Sequence, residues 1–240
     1  MYNKSILIAA VLLLISSGLF AQTRLASNYS SEFIYGVNKN TNGGLIGGLM
    51  FRYNRLKSDK LIESFGLELS NVKHPKEVRY TTFIGNAYIW GKQNYLYSIR
   101  PHYGAEYLLF RKAQRQGVQV SVLGAAGPTL GLVSPYYIEY ATGPTSSVRV
   151  PFDPEIHANQ NNILGNGGLL RGLGESQLKI GAHAKAGVNF EFGTFRSNIT
   201  GIEAGLMVEG FREDIIIIPT AENRNFFSSA YVSLYFGRRK

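Results

Sequence analysis

From residue 177 to residue 192 the chain alternates without a break. Leu178, Ile180, Ala182, Ala184, Ala186, Val188, Phe190 and Phe192 fall on one side, and Lys179, Gly181, His183, Lys185, Gly187, Asn189 and Glu191 on the other. A period of two over such a length means a strand with one apolar face and one polar or small face. Soluble sandwich strands alternate too, but they seldom run this far. A segment of this length can cross a bilayer and still protrude from it.

The pattern recurs. Ile202, Ala204, Leu206 and Val208 oppose Gly201, Glu203, Gly205 and Glu209; Ala230, Val232, Leu234 and Phe236 oppose Ser229, Tyr231, Ser233 and Tyr235. Val118, Val120 and Val122 oppose Gln119 and Ser121, continuing toward Leu130 and Leu132. Tyr97, Ile99, Tyr103, Tyr107 and Leu109 oppose Ser98, Arg100, His102, Gly104 and Glu106. Phe33/Tyr35/Val37, Leu45/Leu49/Phe51/Tyr53 and Phe65/Leu67/Leu69 complete a set of eight. The fifth is interrupted by residues 124–128, which contain glycines and Pro128, and Pro135 follows. A bulged single strand there gives eight strands in all, and a break gives ten. Either even number returns both termini to one side, as in single-chain bacterial barrels.

The N-terminus supplies the destination. Lys4, an apolar stretch from Ile6 to Ile15, and small residues up to Ala21 have the layout of a secretory signal peptide. The expected division is therefore a cleaved segment over residues 1–21 and a mature domain over residues 22–240. Cysteine is absent, so disulfides, thiolate metal sites and an N-terminal lipid anchor are all excluded. After residue 21 no apolar stretch reaches the length of a transmembrane helix. The chain nevertheless carries 15 Tyr, 14 Phe and 27 Gly. An exported, aromatic-rich chain without membrane helices crosses a bilayer only by closing its strands into an antiparallel barrel. The expected location is the outer membrane, with both termini periplasmic.

Connection lengths support the same topology. Short turns near residues 57–60, 112–116 and 193–197 alternate with long connections around residues 72–94, 142–176 and 213–224. In such barrels the short turns are periplasmic and the long loops extracellular. Only the first loop, near residues 40–43, is short where a long one was free to occur.

Formal net charge is +9. On this register Glu32, Glu68, Glu106, Glu191, Glu203 and Glu209 point inward with Arg52, Arg100, Lys179 and Lys185, and His102 and His183 lie nearby. Eight strands enclose a space that side chains fill, and charges buried there must pair. The lumen is expected to be an ion-paired plug. A basic rim is expected at the periplasmic edge, concentrated in Arg111, Lys112, Arg115, Arg238, Arg239 and Lys240. Its partners would be outer-membrane lipid or an acidic envelope protein complex, not nucleic acid. At the opposite edge Ile215, Ile216, Ile217 and Ile218 are expected to extend the seventh strand above the membrane. There they would offer a contact surface or pack against Phe226, Phe227 and the loop from Thr142.

Chemistry is harder to find. A lipid-modifying hydrolase would use a histidine at the membrane surface, and His74 and His157 lie in long loops. Neither loop carries a Gly-x-Ser-x-Gly elbow or a metal-binding His pair. The glycine-rich residues 165–168 lie outside any βαβ context and make no phosphate cradle. No catalytic residue, metal site or cofactor is expected. A non-catalytic scaffold barrel is the leading reading, with a lipid A deacylase or acyltransferase and a small-solute channel as alternatives.

The Ala-Gln ending of the signal segment, the paired strands throughout and the terminal Ser-Leu-Tyr-Phe-Gly-Arg-Arg-Lys resemble the small outer-membrane β-barrels of Bacteroidota. This class is OmpA/OmpX-like and includes PorT-like barrels. Asn71-Val72-Lys73-His74-Pro75-Lys76-Glu77 and Gly131-Leu132-Val133-Ser134-Pro135-Tyr136-Tyr137 are similar to patterns in an uncharacterised branch of that group. The resemblance implies membership in envelope machinery of the type IX secretion or barrel-assembly kind. It implies no activity.

Overall fold

The computed structural model describes residues 30–111, 117–192 and 198–240, with residues 44–46 described by backbone alone. The signal-peptide expectation lies outside the described residues. In chain order the strands are β1 (Ser31–Asn40), β2 (Gly43–Leu56), β3 (Leu61–Val72), β4 (Arg79–Thr81), β5 (Ala87–Ile89), β6 (Asn94–Phe110) and β7 (Gln119–Pro135). They continue with β8 (Tyr137–Ala141), β9 (Ser147–Pro151), β10 (Ile163–Asn166), β11 (Gln177–Phe192), β12 (Asn198–Ile215) and β13 (Arg224–Arg239).

Eight of these close a barrel in the order β1-β13-β12-β11-β7-β6-β3-β2, every neighbouring pair antiparallel. The seam between first and last strands is fully paired, from Glu32↔Arg239 to Asn40↔Tyr231. Closure leaves the barrel no sheet edge, so each of its eight strands finds hydrogen-bond partners on both sides. The ten-strand alternative does not occur. β7 runs unbroken through residues 124–128 and pairs with β11 in one register from Glu191↔Gln119 to Gln177↔Val133. On its other side Pro128 falls opposite Pro101 of β6, two residues without an N–H, yet pairing resumes in the same register beyond them.

The faces divide as the period of two dictates. Phe33, Tyr35, Phe51, Tyr53, Phe65, Tyr103, Leu206, Val232, Leu234 and Phe236 are exposed on the outer wall. The inner face carries Glu, Arg, Lys, Asn, Ser and Tyr, nearly all buried. Bulky inward rings fit because glycines stand beside them. A Cβ on Gly201 would collide with the Tyr235 hydroxyl and lie 2.6 Å from the Phe190 carbonyl oxygen.

At one end of the barrel lie the short turns and the chain terminus; this is the turn end. At the other, the loop end, the connections fold into a roof. β4 and β5 form a hairpin whose turn uses Gly85 at φ +85°, a left-handed conformation suited to glycine. β10, β8 and β9 form a three-stranded sheet. Tyr88, Tyr95, Tyr136, Ile138, Phe152 and Ile163 pack between hairpin and sheet, with Trp90 against Phe152. The Tyr136 hydroxyl accepts from Ile89 N at 2.9 Å, and Tyr136 N donates to Gln93 O at 2.8 Å. What reads in the sequence as long loops is a second, smaller core.

Gly201→Val is expected to lower stability by about 3 kcal/mol, the upper part of the range for overpacking, because backbone lies on one side of the added atoms. Gly124→Ala, where a Cβ meets nothing within 4 Å, should leave the barrel unchanged. Urea titration of the folded protein, followed by heat-modifiable gel mobility, distinguishes the two.

Candidate functional site

The lumen is built in layers, described from the turn end upward. Arg239 donates from Nε to Glu32 at 2.7 Å and from Nη2 to Glu191 at 2.5 Å. Asn54 and Gln119 donate to the same two carboxylates. Above them Glu106 accepts from Ser121 Oγ and from Asn189 Nδ2 at 2.8 Å, while the Tyr235 hydroxyl donates to Asn189.

The central layer gathers around Glu203, which is fully buried. It accepts from Arg52 Nη1 at 2.6 Å, Lys185 Nζ at 3.2 Å and the Tyr231 hydroxyl at 2.9 Å. Lys185 also reaches Glu68 at 2.5 Å. Next, Arg100 grips Glu209 with Nε and Nη2, both at 2.7 Å, and donates from Nη1 to Ser70 at 2.6 Å. Such a bidentate fork fixes geometry as well as charge. His102 and His183 meet edge to face beside it, 5.7 Å between centroids, and Thr129 Oγ1 lies 3.0 Å from His183 Nδ1.

Apolar side chains cap the column. Val72, Leu96, Val133 and Phe211 pack with Ile215, Ile217 and Ile218. This alters the expectation for residues 215–218. The chain turns inward after Ile215 instead of extending β12, because Gln93 N and Asn94 N both donate to Ile217 O, and Asn223 ties down Ile217 N and Ile218 O. Only Ile216 of the four remains exposed. The neighbours are the inward ends of β3, β6, β7 and β12, with Phe227, and not the loop from Thr142.

Two further expected positions differ. Lys179 stands above the lumen column, paired with the exposed Glu213 on β12, and takes no part in the buried network. Arg239 is not a rim residue. β13 alternates to its last position, so Arg239 faces inward while Arg238 and Lys240 remain exposed. Arg111 donates to the Asp59 carbonyl oxygen; Lys112 and Arg115 lie outside the described residues. Arg111 follows β6 and Arg238 is the penultimate residue of β13, and these strands are diametrically opposite in the ring. Arg111 and Arg238 therefore stand on opposite sides of the turn end.

The loop histidines are held by loop backbone groups. His74 Nδ1 accepts from Lys76 N at 3.1 Å, so its Nε2 carries the hydrogen donated to Glu222 O at 3.1 Å. His157 Nδ1 accepts from Asp153 N at 3.0 Å, and its ring packs edge-on against Tyr140. Among the described residues no group of three or more His, Cys, Asp or Glu is placed to hold a metal ion. A pair that the strand pattern could not show joins the roof: Lys92, fully buried, donates to Glu77 at 2.6 Å and lies 4.4 Å from the centre of the Tyr95 ring. Burial pushes the Lys92 ammonium below its usual pKa, and Glu77 opposes that shift. The missed signal was Lys-Gln-Asn at residues 92–94, a lysine just before a strand, which resembles an exposed turn.

No family model matches this chain, and neither does any curated protein sequence. Among solved structures it is similar to Ail, the attachment invasion locus protein of Yersinia pestis, at 10% identity over 88% of this chain and 99% of that one, TM-score 0.41. It is also similar to Neisserial surface protein A, at 13% identity over 88% and 97%, TM-score 0.38. The N-terminal β-barrel domain of Pseudomonas aeruginosa OprF matches at 11% identity over 88% and 98%, TM-score 0.36. Scores this low transfer neither a function nor a residue correspondence.

Arg100→Met strands the buried Glu209 carboxylate and should cost about 3–5 kcal/mol. Adding Glu209→Leu should recover much of that loss, giving a large coupling in a double-mutant cycle followed by urea unfolding. At the turn end Arg239→Gln should cost about 3 kcal/mol by the same logic. Arg238→Gln should stay within about 0.5 kcal/mol. Equal effects at 238 and 239 would contradict the inward placement of Arg239.

Proposed function

We propose that this chain is an outer-membrane β-barrel without catalytic function, acting through the surfaces at its two ends as a scaffold or accessory subunit of an envelope complex. The observation that carries the reading is the filled lumen. Three layers of paired charges, a hydrogen-bonded layer around Glu106 and an isoleucine cap occupy the space where a channel would run. The small-solute channel is disfavoured on that ground. The wall is the inverse of a soluble protein, apolar outside and charged inside, and residues such as Leu206, 68% exposed, belong in hydrocarbon. The turn end is assigned to the periplasm and the roof to the cell exterior, following the rule for short and long connections.

Two surfaces remain for recognition. The roof presents Phe83, Ile84, Ile156 and Leu170, all well exposed on folded loops, the kind of apolar display that marks contact sites. The turn end presents the basic rim. The lipid-modifying alternative finds little support, since both loop histidines spend ring nitrogens on their own backbones.

Gentle detergent extraction, affinity purification and mass spectrometry test the scaffold reading. A variant with Arg111, Lys112, Arg115, Arg238 and Lys240 replaced by Gln keeps Arg239, and hence the lumen, intact. It should remain heat-modifiable yet recover less of an associated envelope protein than wild type. If wild type recovers no partner, or the variant recovers the same ones, the basic rim contacts lipid alone. Planar-bilayer recording should show no stable conductance; a large open state would overturn the occluded lumen.

A further inference from the structure

The loop-end rim is high except at one place. The β1–β2 connection consists of Thr41 and Asn42 alone, and it leaves a notch between the β3–β4 segment and the start of β13. A pocket of about 310 Å³ fills this notch, lined by Asn42, Lys73, His74, Lys76, Ile215, Glu222, Arg224, Phe226 and Phe227 among others.

Its walls are fixed. Lys73 N donates to Asn42 O at 2.7 Å, and Asn42 Nδ2 donates to Ser228 O at 2.7 Å. The turn bearing Lys76 is held at both ends: His74 Nε2 reaches Glu222 O across the notch, and Glu77 accepts from His74 N and from buried Lys92. Ordering the site therefore costs a ligand little.

Its charge is also directional. Among the described residues Lys73 and Lys76 enter no ion pair, and Arg224 pairs with Glu222 alone, at 3.3 Å, both side chains largely exposed. An exposed pair of this kind is weak, so an incoming anion can displace the carboxylate from Arg224. The same pocket has an apolar ledge formed by the half-buried Phe227 beside the buried Ile215. Phe226, 56% exposed, leads from the pocket onto the outer wall, down the outward column toward Val232 and Leu234.

From this juxtaposition we infer that the notch is a binding site for the phosphorylated headgroup of a membrane lipid, the phosphate between Lys73, Lys76 and Arg224 and an acyl chain leaving over Phe226. Small inorganic anions would use the cations and leave the ledge empty. A lipid uses both, and the site opens where the headgroup layer meets the wall. The inference rests on the membrane-spanning reading above.

The test uses the full barrel folded in zwitterionic micelles, with amide NMR signals of Asn42, Lys73, Lys76 and Phe226 as reporters. Three probes are titrated: short-chain phosphatidic acid, short-chain phosphatidylcholine and inorganic phosphate. Phosphatidic acid should shift the reporters saturably. The combined Lys73→Gln, Lys76→Gln and Arg224→Gln variant should bind at least about tenfold more weakly, as expected for losing charge-assisted hydrogen bonds to phosphate. A Lys57→Gln, Lys60→Gln variant at the opposite end should bind as wild type does. Equal binding of phosphatidylcholine, saturation by inorganic phosphate alone, or an unaffected triple variant would each overturn the lipid site. Heat-modifiable mobility and insertion into vesicles are scored on the same preparations. A barrel that fails to insert removes the membrane reading as well, whereas an inserted barrel with silent reporters removes this site alone.

Discussion

A carboxylate in a narrow, dry lumen is tolerable only when opposite charge and hydrogen-bond donors surround it. Glu203 meets that condition with Arg52, Lys185 and Tyr231, residues drawn from β2, β11 and β13 around its own β12. Lys185 then reaches Glu68 on β3, so one cluster touches five of the eight strands. Each of these strands must be in correct register for the charges to meet, because a slip by one residue sends every side chain to the opposite face. The polar column thus does for this barrel what a jigsaw of apolar side chains does for a soluble core. It selects one closure among many that outer-wall hydrophobicity alone would accept.

The same constraint explains where charge is absent. Toward the loop end the column stops at Arg100 and Glu209, and apolar side chains take over. Residues 216–218 have high β propensity but no neighbour available for another rung, since the β12–β13 register ends at Ile215↔Arg224. Turning inward buries three isoleucines against four inward-facing hydrophobic positions. It removes from water the apolar surface that an upright strand would expose.

Much of this was legible in the residues. Period-two alternation identified all eight barrel strands and the faces of Glu32, Arg52, Glu68, Arg100, Glu106, Lys185, Glu191, Glu203 and Glu209, because a barrel wall permits only two side-chain directions. Which acid meets which base was not legible. That depends on inter-strand register and on shear, which periodicity does not encode. Arg239 was misassigned because three consecutive basic residues suggest a solvated tail, although alternation runs through them. The roof escaped because β4, β5, β8, β9 and β10 are only three to five residues long, too short for a period to declare itself. Their pairing depends on Tyr88, Tyr136 and Phe152 meeting across long sequence separations.

That roof separates two tasks along the chain. β4 pairs with β5, and β8 with β9 and β10, within the roof itself, and the aromatic core lies between the hairpin and the sheet. The β4–β5 tip, by contrast, projects Phe83, 83% exposed, into solvent. Thr82 and Asn86 of the tip tie it to Leu164 O, whereas Phe83 is exposed and open to substitution without loss of those contacts. Recognition at this end can therefore diversify residue by residue while assembly of the wall stays constant, the arrangement by which loops on rigid scaffolds acquire new specificities.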